Sequence, residues 1–227
     1  MATPEALAFD MYGTLVDPIR IWHQLERHVG ESARQVAELW RAKQLEYTFR
    51  LTVMGRYENF ERLTRVALDY ALAVVGKDLD DSSRRELVAG YDHLEPFADV
   101  HAGLKDIRAH GHRMVVLSNG TPRMLSAVVG SAGLAEYFDE LISVDEVGAY
   151  KPSARVYAHA ASRLRLPLDR LRLVSSNAFD VVGAAAAGMQ VAWLNRSGGP
   201  FDPLDEAPAM IASTLSDLAE RLARQPT

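Results

Sequence analysis

Five short, largely apolar runs constrain the fold of this sequence more than any other feature. They are residues 6–11, 114–117, 141–144, 171–174 and 191–194. Continuous apolar runs of this length are typical of strands that are buried on both faces of a parallel sheet. From about residue 98 onwards a segment of helical length precedes each run, so helix and strand alternate. This alternation predicts a parallel sheet with helices on both sides.

A long segment of different character separates the first run from the others. Residues 16–97 contain amphipathic helical patterns and no convincing strand. One pattern covers residues 32–47 and opens with Ser32 and Gln35, which predict a capping box, and another runs from Phe60 to Val74. We therefore expect an α/β protein with a Rossmann-like, doubly wound parallel sheet core of residues 1–15 and 98–227. Residues 16–97 are predicted to form an inserted helical cap subdomain.

Composition and charge restrict the classes of partner. Of the 227 residues, 48% are hydrophobic, which is enough for a sizeable core. The net charge of -5 is spread without a basic patch, so we expect no nucleic acid and no membrane as partner. The absence of cysteine excludes a thiolate nucleophile and disulfides. Because the N-terminus shows no signal pattern and no apolar run is long enough for a bilayer, we expect a cytoplasmic protein.

Polar residues stand at or just after the predicted strands. In an open parallel sheet the carboxyl ends of the strands border the ligand-binding crevice, so these residues are candidates for a site. Taken singly, each has a structural explanation as a turn residue, a helix cap or a surface lysine. Their joint occurrence favours one polar site. They are Asp10, Thr14, Ser118, Asn119, Lys151, Ser175, Asn177 and Asp180.

Four motifs in this order resemble the haloacid dehalogenase superfamily of hydrolases. They are FDMYGT at residues 9–14, LSNG at 117–120, Lys151-Pro152, and SSNAFD at 175–180. Phosphatases of that superfamily have a second Asp where this chain has Tyr12, and a magnesium-binding Asp near the neutral residues 175–177. The loss of these carboxylates argues against magnesium-dependent phosphoryl transfer. The motifs resemble instead the (S)-2-haloacid dehalogenase branch, which implies neither a cofactor nor a metal.

The resemblance implies hydrolysis of a carbon–halide bond in small 2-haloacids, the L enantiomers, to give 2-hydroxyacids. Asp10 is then the nucleophile, and its aspartyl ester is later hydrolysed by water. Lys151 is expected to keep Asp10 ionised, and Thr14 to fix its rotamer. Ser118 and Asn119 are expected to bind the carboxylate of the substrate near a helix start.

The resemblance also implies roles for residues farther from Asp10. Arg41 and Asn119 are expected to bind the halide ion as it leaves. Asn177 and Asp180 are expected to orient the hydrolytic water, and Ser175 to hold Lys151 or Asp10. An apolar wall over the reacting carbon is predicted from Tyr12, Leu45, Phe60 and Phe179.

Several alternatives remain open from the sequence. Arg41 and Lys151 have the simpler interpretation of solvated surface residues, and the apolar wall that of ordinary core. A magnesium-dependent phosphatase of the same fold and a catalytically inactive binding protein are the competing functions. The family resemblance implies a homodimer formed through the cap, in which case Tyr47, Phe49 and Leu51 form its surface or else pack inward.

Overall fold

The computed structural model describes residues 6–204 and 207–224. Residues 1–5, 205–206 and 225–227 of the predicted core lie outside the described residues. The described chain contains a sheet of six parallel strands in the order β3-β2-β1-β4-β5-β6. The strands are β1 (Ala6–Phe9), β2 (Arg113–Ser118), β3 (Glu140–Ser143), β4 (Leu171–Ser175), β5 (Gln190–Leu194) and β6 (Ile211–Ala212).

The order of the strands reverses beside β1. From β1 the chain builds β2 and β3 on one side, and it then crosses back to build β4, β5 and β6 on the other. Strands β1 and β4 are buried along their length, as their largely apolar sequences predict. The predicted α/β class and doubly wound parallel sheet are confirmed. Their consequence is a crevice at the carboxyl ends of β1 and β4, where the winding changes direction.

Five helices of the described chain flank the sheet. They are α5 (Val100–Ala109), α6 (Pro122–Ser131), α7 (Ala154–Leu164), α8 (Ala178–Ala186) and α9 (Leu215–Ala223). The start of α6 is defined by Thr121, whose hydroxyl accepts a hydrogen bond from Met124 N at 3.2 Å, and by Pro122 in the first turn. Both signals are typical of a helix N-terminus. Helix α6 therefore begins directly after the polar loop that follows β2.

Four further helices lie between β1 and α5 in the sequence. They are α1 (Trp22–Val29), α2 (Ala33–Val53), α3 (Phe60–Val74) and α4 (Asp81–Ala89). The predicted capping box at Ser32 is wrong, because Ser32 makes no capping hydrogen bond with its side chain. A 3₁₀ turn at Gly30–Ser32 leads directly into α2, so the backbone of Ser32 is already helical where a cap requires an extended residue.

A buried polar network joins α2 to α3. The indole of Trp40 donates to the carbonyl of Thr64 at 2.7 Å, and the side-chain amide of Gln44 donates to the Thr64 hydroxyl at 2.8 Å. The hydroxyl of Tyr91 donates to the other end of Gln44 at 3.1 Å. Because each of these buried groups has a partner, the network fixes the orientation of α2 against α3. These hydrogen bonds therefore hold α2, which carries residues that face the sheet, in a fixed position.

The chain leaves the sheet region and returns to it at one place. Val16 and Pro96 form an antiparallel bridge. On either side of it, Asp17 N donates to the carbonyl of Glu95 and Phe97 N donates to the carbonyl of Leu15, both at 3.1 Å. The two connections between the helices of residues 22–89 and the sheet are therefore adjacent. Within residues 6–204 and 207–224, no helix has the length and apolar character needed to cross a bilayer.

Candidate active site

Asp10 follows β1 directly and is 6% exposed. Its Oδ2 accepts hydrogen bonds from the Thr14 hydroxyl at 2.9 Å, the Asn177 side-chain amide at 2.7 Å and the Ser175 hydroxyl at 3.4 Å. Its Oδ1 accepts one from Lys151 Nζ at 3.1 Å. Donors from three separate segments therefore converge on one carboxylate.

A tight turn brings Thr14 back towards Asp10. Gly13 has a φ of +91°, a conformation that residues with a side chain rarely adopt. A Cβ at this position would also lie 3.5 Å from the amide nitrogen of Asn177. The Thr14 hydroxyl accepts a hydrogen bond from Ser176 N at 2.9 Å while it donates to Asp10. Thr14 thus connects the loop after β1 to the loop after β4.

Lys151 lies between two carboxylates. It is 1% exposed, and its Nζ is 3.1 Å from Asp10 Oδ1 and 2.8 Å from Asp180 Oδ2. Burial acts to lower the pKa of Lys151, but the charges of Asp10 and Asp180 outweigh burial and raise this pKa above its ordinary value. The interpretation of Lys151 as a solvated surface lysine is wrong. The residue supplies a buried positive charge beside Asp10.

Asp180 is fully buried on α8. Besides Lys151, it binds the hydroxyl of Tyr157, which donates to Asp180 Oδ1 at 2.8 Å. Burial raises the pKa of Asp180; the ammonium of Lys151 opposes this rise and the charge of Asp10 adds to it. Tyr157 was not predicted as a site residue, because its position among apolar residues of α7 is typical of a core residue. The available signal was chemical: a buried tyrosine hydroxyl requires a polar partner.

The loop after β2 forms another side of the site. Asn119 Oδ1 accepts a hydrogen bond from the backbone N–H of Lys151 at 3.1 Å. Ser118 is fully buried, and its hydroxyl oxygen accepts from Gly120 N at 3.2 Å. The carbonyl of Gly120 accepts from the Ser143 hydroxyl at 2.7 Å. These bonds fix the loop immediately before the N-terminus of α6, where backbone N–H groups favour an anion.

Helix α2 brings Arg41 to the site. Its Nη2 donates to the carbonyl oxygen of Tyr12 at 3.1 Å. The same carbonyl oxygen also accepts a hydrogen bond from the side-chain amide of Asn177. Burial lowers the pKa of Arg41, while nearby Tyr91 and the charge of Asp10 act in the opposite direction. An arginine remains protonated over the whole physiological range. The interpretation of Arg41 as a surface arginine is wrong, because the side chain is partly buried against the loop of Asp10.

The predicted apolar wall is divided between two groups of contacts. The ring of Tyr12 lies 5.7 Å from that of Phe60, centroid to centroid, and both residues are buried. The ring of Phe179 lies 5.1 Å from that of Phe49 in an edge arrangement. Leu45 is partly buried on α2, four residues after Arg41 and therefore on the same helix face. Tyr12 and Phe60 are therefore in contact with each other, whereas Phe179 packs against Phe49 in the last part of α2.

The side chain of Lys151 lies between the two carboxylates of this site and supplies a positive charge there. Lys151 Nζ contacts both Asp10 and Asp180. In the part of the chain that the structure describes, no three His, Asp or Glu side chains are grouped so that they could hold a metal ion.

A doubly wound sheet with a buried, lysine-paired aspartate at the point where its winding reverses defines a class of α/β hydrolases. The family model for haloacid dehalogenase-like hydrolases matches residues 4–188. The chain therefore belongs to the haloacid dehalogenase-like hydrolase family.

Named relatives and solved structures cover nearly the whole chain. An (S)-2-haloacid dehalogenase of Pseudomonas sp. (strain YL) is 38% identical over 95% of this chain and 93% of its own. A haloacetate dehalogenase of Moraxella sp. (strain B) is 37% identical over 96% of this chain and 98% of its own. The structure of the L-2-haloacid dehalogenase of Xanthobacter autotrophicus with chloropropionic acid covalently bound has a TM-score of 0.91. It is 32% identical and covers 99% of this chain and 100% of its own.

Proposed function

We propose that this protein is a 2-haloacid dehalogenase that converts small L-2-haloacids into 2-hydroxyacids through an ester on Asp10, without a metal. The observation that carries the proposal is the unequal environment of the two Asp10 oxygens. Among the residues that the structure describes, Oδ2 has three side-chain donors, whereas Oδ1 has only the Lys151 ammonium. The likeness to enzymes named (S)-2-haloacid dehalogenase and to a dehalogenase with covalently bound chloropropionic acid supports this substrate class.

In the first step Oδ1 of Asp10 attacks C2 of the substrate. The new C–O bond forms as the carbon–halogen bond breaks, and the halide leaves with the bonding electron pair. Arg41 is placed to stabilise the charge that develops on the halide, because it lies beside Tyr12 on the cap side of Asp10. Asn119 uses Oδ1 to accept from Lys151, so its Nδ2 is the end that donates to an anion.

In the second step water hydrolyses the ester at Cγ of Asp10. Oδ2 is then the ester carbonyl oxygen, and its donors Thr14, Asn177 and Ser175 stabilise the negative charge that develops on it. Asp180 is suited to accept the proton of the water, because burial raises its pKa. The alcohol oxygen of the product comes from Asp10, and the water oxygen remains on the enzyme. Overall, haloacid and water give hydroxyacid, halide and a proton.

The polar loop after β2 and the aromatic residues are proposed to select the substrate. The carboxylate of the 2-haloacid binds at Ser118 and Asn119, just before the N-terminus of α6, where the helix dipole favours an anion. Tyr12, Leu45, Phe60 and Phe179 form the apolar surroundings of C2 and its substituent. Their aromatic bulk favours a short side chain on the substrate.

A single turnover in water enriched in oxygen-18 tests the covalent step. With enzyme in excess over L-2-chloropropionate, the first product is expected to be unlabelled, and the peptide that contains Asp10 is expected to gain the label. Label in the first product would mean that water attacks C2 directly and would contradict the ester. Asp10→Asn is expected to release no chloride, while Asp202→Asn in an exposed loop keeps full activity.

The same assay separates the two competing functions. A magnesium-dependent phosphatase loses its activity in EDTA and hydrolyses phosphate esters, whereas the proposed dehalogenase continues to release halide. A catalytically inactive binding protein would release neither halide nor phosphate. Chloride release that continues in EDTA would therefore support the proposal against both alternatives.

We also propose a homodimer that acts in the cytoplasm. The end of α2 exposes apolar side chains, with Val53 89% and Met54 56% exposed, as expected of a contact surface. Of the residues named from the sequence, Leu51 is buried, and Tyr47 and Phe49 are partly buried. The chain has no cysteine and needs no oxidising compartment. Light scattering on the purified protein tests the dimer, and cell fractionation tests the location.

A further inference from the structure

A cavity lined by arginines lies between α3, α4 and the start of α6. Its volume is about 530 Å³, and Arg62, Arg65, Arg85 and Arg123 contribute to its wall. A neighbouring cavity of about 560 Å³ shares the first three of these arginines. None of these residues contacts Asp10, and the proposed chemistry does not use them.

The charge of this cavity is only partly balanced by ion pairs. Arg123 pairs with Glu61 at 3.2 Å and with Asp92 at 2.6 Å. Arg65 and Arg85 are exposed, and within residues 6–204 and 207–224 neither makes an ion pair. Two guanidinium groups without an acidic partner therefore line the same space. A carboxylate is a suitable ligand, because a guanidinium group can donate to both of its oxygens.

Aromatic side chains connect the lining of this cavity with the loop that carries Asp10. Asp92 lines the cavity and directly follows Tyr91, whose ring centroid lies 6.1 Å from that of Tyr12. Asn59 also lines the cavity and caps α3, whose first residue, Phe60, packs against Tyr12. Phe60, Tyr91 and Tyr12 thus form a wall of aromatic rings that extends from the lining of the cavity to the loop of Asp10.

Two buried polar atoms on this wall have no partner. Within the described residues, neither Oδ1 of Asp92 nor the hydroxyl of Tyr12 makes a hydrogen bond. Buried polar groups are normally hydrogen-bonded, and a group without a partner indicates a place for water or a ligand. Asp92 lines the cavity and Tyr12 lies on the loop of Asp10, so an unpartnered polar atom occurs at each end of these aromatic contacts.

We propose that the arginine-lined cavity binds the carboxylate of the substrate before the substrate passes Tyr12 and reaches Asp10. The identity of this substrate as a 2-haloacid rests on the proposed function. Arg65 and Arg85 hold the anion, while the paired Arg123 and Asp92 form the edge nearest the site. A positively charged entrance raises the local concentration of an anionic substrate and speeds its association.

A kinetic comparison tests the role in substrate capture. In Arg65→Gln/Arg85→Gln, kcat/KM for L-2-chloropropionate is expected to fall about three- to tenfold at low salt, with kcat unchanged. The difference should vanish near 1 M salt, where the screening length is about 3 Å. The matched control, Arg34→Gln/Arg224→Gln, loses the same net charge at exposed positions outside the cavity. An unchanged kcat/KM, an equal loss in the control or an equal loss in kcat would overturn the proposal.

A second experiment detects the bound anion without turnover. Phenylglyoxal modifies exposed arginines, and L-lactate is expected to slow the modification of Arg65 and Arg85 but not that of Arg34, as read by mass spectrometry. Sodium chloride at equal ionic strength is expected to protect less. Equal protection by lactate, chloride and phosphate would indicate a non-selective anion site and would overturn the proposal, as would no protection. If the protein releases no halide while lactate still protects, the proposed function fails and the carboxylate site stands.

Discussion

Lys151 Nζ lies 3.1 Å from Asp10 Oδ1, with side chains that are only 1% and 9% exposed. The pair belongs to a group of four charges, because Asp180 adds a second carboxylate and Arg41 a second cation. The two positive and two negative groups balance each other. An anionic substrate can therefore approach an anionic nucleophile without a large excess of negative charge in a buried site.

Removal of Lys151 is expected to destabilise the fold strongly. In Lys151→Met two buried carboxylates lose their only shared cation, which costs about 3–5 kcal/mol. Urea unfolding at pH 7 measures this loss. The control is Lys43→Met, which removes a more exposed ion pair with Glu46 and is expected to change the urea midpoint little, because solvent screens that pair. Equal changes in the two variants would contradict a structural role for the buried cluster.

The pH dependence of stability follows from the raised pKa of Lys151. The folded pKa lies above the ordinary value of 10.5, so the folded state holds this proton more tightly than the unfolded state does. The resulting stabilisation is complete below about pH 10.5 and is lost as the pH rises through the folded pKa. The urea midpoint of the wild type is therefore expected to decrease as the pH rises through this range. An equal loss of stability at alkaline pH in Lys151→Met would show that other groups cause this pH dependence.

Arg41→Gln is expected to affect catalysis according to the leaving group. Loss of a donor to a developing anion lowers kcat by about a hundred- to a thousandfold. The loss should be larger for 2-chloropropionate than for 2-bromopropionate, because bromide is the better leaving group and needs less stabilisation. Arg34→Gln on the same helix is the control, and it should retain wild-type kcat. An identical loss for both halides would argue that Arg41 positions the substrate and does not stabilise the halide.

Tyr12→Phe removes a buried hydroxyl that has no hydrogen-bond partner within the described residues. Because that hydroxyl is desolvated without compensation, its removal is expected to leave stability unchanged or to raise it by about 1 kcal/mol. Tyr91→Phe is the matched variant, since the Tyr91 hydroxyl donates to Gln44 at 3.1 Å. It should lose about 1 kcal/mol in thermal or urea unfolding. Destabilisation by Tyr12→Phe would reveal a partner for this hydroxyl.

Gly183→Ala is expected to displace residues that support the site, namely Pro152 and Tyr157. A Cβ on Gly183 would lie 2.3 Å from Pro152 Cβ and 2.9 Å from the Tyr157 hydroxyl, so the residue after Lys151 must move. We expect a loss of about 1–3 kcal/mol in stability and a lower kcat. Gly130→Ala is the control on α6, where an added Cβ meets nothing within 4 Å. It should stabilise the protein slightly, by about 0.5–1 kcal/mol.

The sequence predicted the sheet well because its central strands are buried on both faces and are therefore largely apolar. Strand β1 is entirely apolar, β2 is apolar from Met114 to Leu117, and β4 is apolar except for Arg172 and its last residue, Ser175. Strand β6 has only two residues, Ile211 and Ala212, and no local pattern distinguishes so short a strand from a loop. The capping box at Ser32 failed because a preceding 3₁₀ turn, which depends on packing, had already set its backbone.

For the site, strand ends were the informative signal. Because β1 and β4 are adjacent parallel strands, the residues at their carboxyl ends are neighbours. The structure accordingly brings Asn177 and Ser175 within hydrogen-bonding distance of Asp10. Their catalytic roles stay predictions. Contacts made through helices were harder to foresee, because the position of Tyr157 beside Asp180 depends on how α7 packs against α8. The same holds for the ring contact between Phe49 and Phe179.

The bridge between Val16 and Pro96 has a consequence for protein engineering. Because the outgoing and returning segments of the chain touch at this point, the residues between them are joined covalently to the sheet region at one place. A replacement segment needs only two ends a few ångströms apart to be grafted there, since neither β1 nor β2 would have to shift. Arg41 and Phe60 would be exchanged with the graft, whereas Asp10 and Lys151 would remain. The proposed halide donor Arg41 and the Asp10–Lys151 pair are therefore carried by segments of the chain that can be varied separately.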